Sequence, residues 1–225
     1  MSAIVIAIDG PAGTGKSTVS REVARRLGLA YFDTGATYRV ATVCCMREGV
    51  DLGNNSDVTA MVETMNVELI LDPDNPRVML EGEDVSALIR SDTVALTVSQ
   101  VATNLDARAA LGRFQREVIA GERVGGFSGG AGVVAEGRDI TTVIAPDADV
   151  RILMTADDEV RVARRAGEGA DMATVREAVL GRDKRDATVV NFHTAADGVV
   201  TLDTTDLTIE QAVNAVIALA HEAQL

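Results

Sequence analysis

A chain of 225 residues is long enough to bury one sizeable core and too short for two fully separate domains. Its 34 acidic side chains against 21 basic ones leave a formal net charge of −13, which opposes non-specific attachment to nucleic acid or anionic lipid. Any anionic ligand therefore has to meet a local basic cluster, and with 3% aromatic residues and no Trp a broad base-stacking surface is disfavoured.

The run Ala3 to Ile8 is continuously apolar and rich in β-branched residues, as expected of a strand buried on both faces, and it ends at Asp9-Gly10. A glycine loop follows, and then Val19, Val23, Ala24 and Leu27 recur at helical spacing up to a C-cap at Gly28. A second short strand is predicted at Leu29 to Phe32, and a helix from Tyr38 to Arg47 stopping at Gly49. Between about 53 and 90, alternating runs at Val67 to Leu71 and Arg77 to Leu80 flank the turn residues Asp72 to Pro76, which predicts a hairpin inserted in an otherwise strand-helix pattern. One helical stretch is predicted from about Val94 to Ile119, and a flexible glycine-rich connector from Gly121 to Gly132 leading into the strand Val133 to Ala135. Further buried strands are expected at Val150 to Met154 and Val199 to Leu202, each followed by a helix, through Arg165 and through Ala220. Strands alternating with helices indicate a parallel sheet covered on both faces.

The two cysteines, Cys44 and Cys45, are neighbours, and the two histidines, His193 and His221, lie far from them, so neither a disulfide framework nor a zinc site is expected. Reduced thiols on a helix suit a reducing compartment. No basic leader precedes a long apolar stretch, and no apolar run approaches the roughly 18 residues of a membrane span. The expectation is a soluble cytoplasmic protein with no nucleic-acid or membrane partner.

Gly10-Pro11-Ala12-Gly13-Thr14-Gly15-Lys16-Ser17-Thr18 contains G-x-x-x-x-G-K-S between a predicted strand and a predicted helix. In that context the glycines let backbone N–H groups turn inward around phosphate oxygens at the positive end of the helix. Lys16 is expected to neutralise the β- and γ-phosphates of a nucleoside triphosphate, and the Ser17 hydroxyl to meet Mg²⁺, a hard cation that keeps most of its waters. Glu136, at a strand end, is a second candidate on the metal side, orienting its water. Arg39 and Arg138, each shortly after a predicted strand, fall at the carboxyl edge of the sheet, where their forks suit a second phosphate.

Taken with Asp33-Thr34-Gly35-Ala36-Thr37-Tyr38-Arg39, Glu81 to Ser86, Val98-Ser99-Gln100-Val101, Glu136-Gly137-Arg138-Asp139-Ile140, Pro146-Asp147-Ala148 and Arg182-Asp183-x-x-Asp186, the chain resembles the bacterial cytidylate kinases, a family of P-loop nucleoside monophosphate kinases, over nearly its whole length. The resemblance implies an α/β P-loop fold with a parallel sheet flanked by helices, a hairpin-containing monophosphate-binding insertion at about 53–105 and a short lid at about 157–175, all within one domain. It implies transfer of the γ-phosphate of ATP to CMP or dCMP with Mg²⁺; a monomer is expected. By motif, Arg39 and Arg138 hold the acceptor phosphate with Thr34 nearby, Ser99, Arg108 and Asp139 face the cytosine, and Arg182 and Asp186 lie near the acceptor sugar. Arg161 and Arg164, with Arg165, stand at i, i+3 and i+4 on one face of the lid helix and are expected to close over ATP.

The chain departs from the family pattern after Asp186. Val189 stands where an Arg is usual, the lid is short, and Thr141 replaces a common Gly. A charge-assisted hydrogen bond contributes about 1.5–3 kcal/mol, so the missing Arg is expected to weaken rate or affinity by about one to two orders of magnitude unless Arg185 or a lid Arg substitutes. Two other readings stay open on the residues alone: a kinase for another small acceptor such as UMP or AMP, and a non-catalytic nucleotide-binding regulator. The latter would have no use for the acceptor-side cluster.

Overall fold

The structure is a computed structural model that describes residues 3–166 and 171–224, apart from the side chain of Arg182. Five parallel strands form the central sheet in the order β2-β6-β1-β7-β8: β1 (Ile4–Asp9), β2 (Ala30–Asp33), β6 (Gly132–Gly137), β7 (Val150–Thr155) and β8 (Val200–Asp203). Every residue of β1 is buried, which is what its unbroken apolar run requires. Its alternation then decides the two cores. Ile4, Ile6 and Ile8 pack with Val19 and Val23 of α1 (Lys16–Leu27) and Val213 and Val216 of α8 (Ile209–Ala223). Val5 and Ala7 face the other way, toward Phe32, Ile119, Val133, Ala135 and Ile140. Burying each such aliphatic side chain contributes about 1.5–3 kcal/mol, so the two-sided strand is the main anchor of the sheet. As expected, α1 ends on Gly28 in the left-handed region at φ 66°, donating back to Ala24 and Arg25 carbonyls.

The chain leaves β1 toward β2 at one edge and leaves β6 toward β7 on the other side of β1. Adjacent strands whose connections diverge open a crevice at their carboxyl ends, and this one receives the loops after β1 and β6.

The inserted segment is larger than a hairpin. It holds α3 (Asn55–Thr64), a three-stranded antiparallel sheet of β3 (Val67–Ile70), β4 (Arg77–Leu80) and β5 (Glu83–Asp84), a short 3-10 turn at Leu88–Arg90, and α4 (Asp92–Thr103). Val78, Leu80, Val85, Ile89 and Val94 bury against Ala36, Val40, Val43 and Cys44 of α2 (Gly35–Arg47), tying the insertion to the helix that carries Arg39. Cys44 and Cys45 are free buried thiols, and burial pushes both upward from the ordinary thiol pKa, Cys45 to about 11.

Two expectations are corrected by single side chains. The stretch from Val94 to Ile119 is two helices, because Asn104 adopts extended backbone and its Oδ1 accepts from the amides of Asp106 and Ala107, capping α5 (Leu105–Val124). The glycine-rich segment is an ordered turn rather than a flexible connector: the Glu122 carboxylate accepts from the amides of Phe127 (2.8 Å) and Ser128 (2.9 Å). The sequence reading also missed α7 (Met172–Asp186) and a π turn at Ile140–Ile144. Of the expected lid, α6 (Asp158–Arg165) and the first turns of α7 are seen, while 167–170 lie outside the described residues. Among the described residues no helix is long and apolar enough to cross a membrane.

Candidate active site

Between β1 and α1 the loop makes close approaches that only glycine permits. A Cβ on Gly10, at φ 145°, would lie 2.1 Å from the Met154 carbonyl, and one on Gly13, at φ 84°, would lie 2.6 Å from the Arg161 carbonyl. The loop is thus pressed between β7 and α6. Thr14 Oγ1 donates to the Pro11 carbonyl at 3.1 Å, and Lys16 Nζ donates to the same oxygen at 3.0 Å. Burial lowers the Lys16 ammonium to about 8, against the opposing pull of Glu136. The ammonium still predominates at neutral pH, and phosphate oxygens beside it would favour that charged form further. A trough of about 640 Å³ opens over Gly13 to Val19, with Arg90, Arg164, Arg165 and Thr204 along it and Leu207, Ile209 and Ala212 at its apolar end.

The two residues expected on the metal side come together. Ser17 Oγ donates to Glu136 Oε1 at 2.5 Å, and Tyr31 Oη donates to the same oxygen at 3.0 Å. A hydroxyl and a carboxylate beside the phosphate loop are hard oxygen donors of the kind Mg²⁺ accepts when phosphates and water complete its shell, so the residues present fit that ion.

From the end of β6, Arg138 and Asp139 turn into a second pocket lined by Thr34, Gly35, Tyr38, Val98, Ala102, Arg108, Gly137, Arg138, Asp139, Asp186 and Val190. Arg108 pairs with Asp139 Oδ2, donates to the Ala102 carbonyl at 3.0 Å and lies 5.4 Å over the Tyr38 ring. Burial pushes the Asp139 carboxyl up while Arg108 pulls it down. The Asp139 backbone is itself held from below. Buried Asp9, at the end of β1, accepts from the amides of Ile140 (2.9 Å) and Thr141 (2.8 Å) and from Thr141 Oγ1 (2.7 Å). Thr141, where Gly is the commoner residue, thus supplies the third bond.

Arg138 Nη1 pairs with Asp183 Oδ1 at 2.6 Å and Nη2 with Asp186 Oδ2 at 3.2 Å, and its guanidinium sits 4.4 Å over the Phe192 ring. Arg39 pairs with Asp33 at 2.5 Å through Nη2, leaving a buried Nε with no hydrogen-bond partner. Arg39 is thus held by Asp33 with one nitrogen unmatched, and it lies outside the wall of the pocket beside Arg138. Thr34 Oγ1 donates to the Glu136 carbonyl at 2.8 Å.

Two expectations are met differently, and a third is not described. Ser99 is buried on α4 but is absent from the pocket wall formed by Val98 and Ala102; its hydroxyl accepts from Arg185 Nε at 3.4 Å. The three lid arginines do not act as one face. Arg161 is buried against Asp183 and the Ala12 carbonyl, whereas Arg164 donates to the Thr204 carbonyl at 2.6 Å and lines the trough with Arg165. Arg182 lies in α7, its side chain outside the described residues. Sequence reasoning missed Asp9, Tyr31, Phe192 and Asp183 as site-building groups. The signal for Asp183 was its place inside Arg182 to Asp186, where only the outer two residues drew attention.

The family described as Cytidylate kinase matches residues 6–222 of this chain. A protein named "Cytidylate kinase" from Cutibacterium acnes is 43% identical over 97% of this chain and 96% of its own length. Relatives of the same name from Streptomyces griseus subsp. griseus (40% identity, 98% of this chain, 94% of theirs) and Mycobacterium avium (42%, 94% and 92%) match comparably. With the phosphate loop, the Arg138-Asp139 pocket and these near full-length matches together, the chain belongs to the cytidylate kinase family.

Proposed function

We infer that this enzyme is a phosphotransferase that moves the γ-phosphate of ATP to CMP and dCMP, as a monomer in the cytoplasm. The observation that carries the reading is the adjacency of two anion-binding places. The phosphate loop and Arg138 are bridged by Asp183, and beyond Arg138 lies a second pocket with a buried carboxylate in its wall. The trough takes ATP, its phosphates on the loop and Lys16, its base toward Leu207 and Ile209. Ser17 and Glu136 would hold Mg²⁺, which neutralises charge on the β- and γ-phosphates when bound.

Arg39 and Arg138 orient the acceptor phosphate, with Thr34 beside them. Asp139 and Arg108 meet the base, with Ser99 behind them, and Asp186 with Arg182 meets the sugar. No general base is needed, because phosphoryl transfer depends on in-line placement and on neutralising the transferring oxygens. Arg161 and Arg164 supply charge at the junction of the two places. Incubation with γ-labelled ATP, Mg²⁺ and CMP is expected to move the label into CDP, with loss of transfer on chelation. Label appearing only as inorganic phosphate, or not leaving ATP, contradicts the reading.

A further inference from the structure

Asp183 is a buried carboxylate to which neither the motifs nor the family resemblance assign a role. It lies on α7 and reaches three structures that the transfer needs held together. Oδ1 accepts from the Ala12 amide of the phosphate loop at 3.2 Å and from Arg138 Nη1 at 2.6 Å. Oδ2 takes Arg161 Nη1, and that same nitrogen donates to the Ala12 carbonyl at 3.0 Å. Arg138 comes from the end of β6 and Arg161 from α6, so this carboxylate is the shared partner of two guanidiniums that would otherwise repel each other in a poorly hydrated space. Burial pushes the Asp183 carboxyl up, but the Arg138 charge and the hydrogen bonds from Arg161, Arg138 and Ala12 outweigh it, leaving the pKa below the usual carboxylate range. It is a fixed negative charge at working pH.

We propose that Asp183 is a positioning residue for phosphoryl transfer, holding Arg138 and Arg161 at a set separation across the junction of the donor loop and the acceptor pocket. It touches neither nucleotide. As an acceptor phosphate oxygen bonds to the γ-phosphorus and the bond to the β–γ bridging oxygen breaks, Asp183 neither gains nor loses a proton; it keeps two cations from swinging away as charge develops on the transferred group. Preorganised donors act only if they are already in place at that moment, which is why an error in their supports appears in turnover rather than in binding. A carboxylate serving stability alone would show the opposite pattern.

The inference rests on the reading of this cleft as the transfer site, and the test separates the two. Steady-state kcat and KM for ATP and CMP are measured for the unaltered enzyme, Asp183→Asn and Asp183→Glu, with the thermal midpoint of each. Asparagine keeps an acceptor for the Ala12 amide and removes the charge; glutamate keeps the charge and shifts it by one methylene. Both are expected to lower kcat by about 10- to 100-fold with KM values held within about threefold, the glutamate variant near the small end and with a midpoint close to that of the unaltered chain. Should Asp183→Asn fail to fold, Asp183→Glu decides alone. Unchanged kcat in a folded variant, or a loss confined to KM, overturns the positioning role while the unaltered enzyme still phosphorylates CMP. An unaltered enzyme inactive toward CMP overturns the site reading and this inference with it.

Discussion

Arg138→Ala is expected to lower kcat by about 10²- to 10³-fold, the cost typical of removing one donor aimed at charge that develops in the transition state. Among the described residues, Arg138 is the side chain that reaches Asp183, Asp186 and the Phe192 ring at once, and it also lines the acceptor pocket. Its loss removes a phosphate-orienting fork and leaves two carboxylates without that cation, so a lower thermal midpoint accompanies the loss of rate. Affinity for ATP should stay near normal, because Lys16 and the loop are untouched. Arg138→Lys separates the effects: an ammonium keeps the charge but cannot span two carboxylates and lie flat on an aromatic ring, so turnover should remain well below normal in a better-folded protein. Turnover at the normal level in either variant would remove Arg138 from the acceptor site.

The second large effect is on base selection. Asp139 is buried, and one carboxylate oxygen is engaged by Arg108. A carboxylate accepts from the exocyclic amino group of cytosine and opposes the carbonyl oxygen of uracil at the same position, leaving two buried acceptors facing each other. An amide can present a donor instead. Asp139→Asn is therefore expected to narrow the ratio of kcat/KM for CMP over UMP by about one to two orders of magnitude, chiefly because the amide can match the uracil carbonyl, since an unmatched buried polar pair costs about 1–3 kcal/mol. Arg108 loses its partner in that variant and can shift, so the ratio, not the absolute rate, carries the meaning. A ratio that does not move shows that Asp139 does not read the base.

What the sequence made legible was whatever acts over a short span. The phosphate loop is contiguous, its strand and helix flank it directly, and each residue type has one physical reason to be there, so its identification needed no tertiary information. The placement of Arg39 and Arg138 near the carboxyl edge of the sheet was also readable, because the end of a parallel strand dictates where the next side chains go, whereas Asp139 was singled out by the family resemblance alone. The supports were not. Asp183 meets Ala12 across 171 positions and Asp9 meets Ile140 across 131, and no local pattern announces such a pairing. Helix α7 went unseen for a related reason: its buried positions include Asp183 and Asp186 as well as Val179, so the face turned inward is partly acidic and lacks an apolar period. Arg161 misled in the opposite sense, since helical spacing groups it with Arg164 and Arg165 although burial beside Asp183 takes it out of the solvated face.

The net charge of −13 fits the same picture. Lys16 is desolvated, and Arg138 and Arg161 are paired with Asp183 beside the phosphate loop, so the proposed function expects specificity to depend on these local groups rather than on the overall field. The measurement that tests this most directly is turnover with ATP and Mg²⁺ across a panel of CMP, dCMP, UMP, AMP and shikimate, each over a range of concentrations. CMP and dCMP are expected to be the preferred acceptors, with kcat/KM for UMP and AMP lower by about 10²-fold or more. Preference for UMP, AMP or a non-nucleotide acceptor would contradict the account.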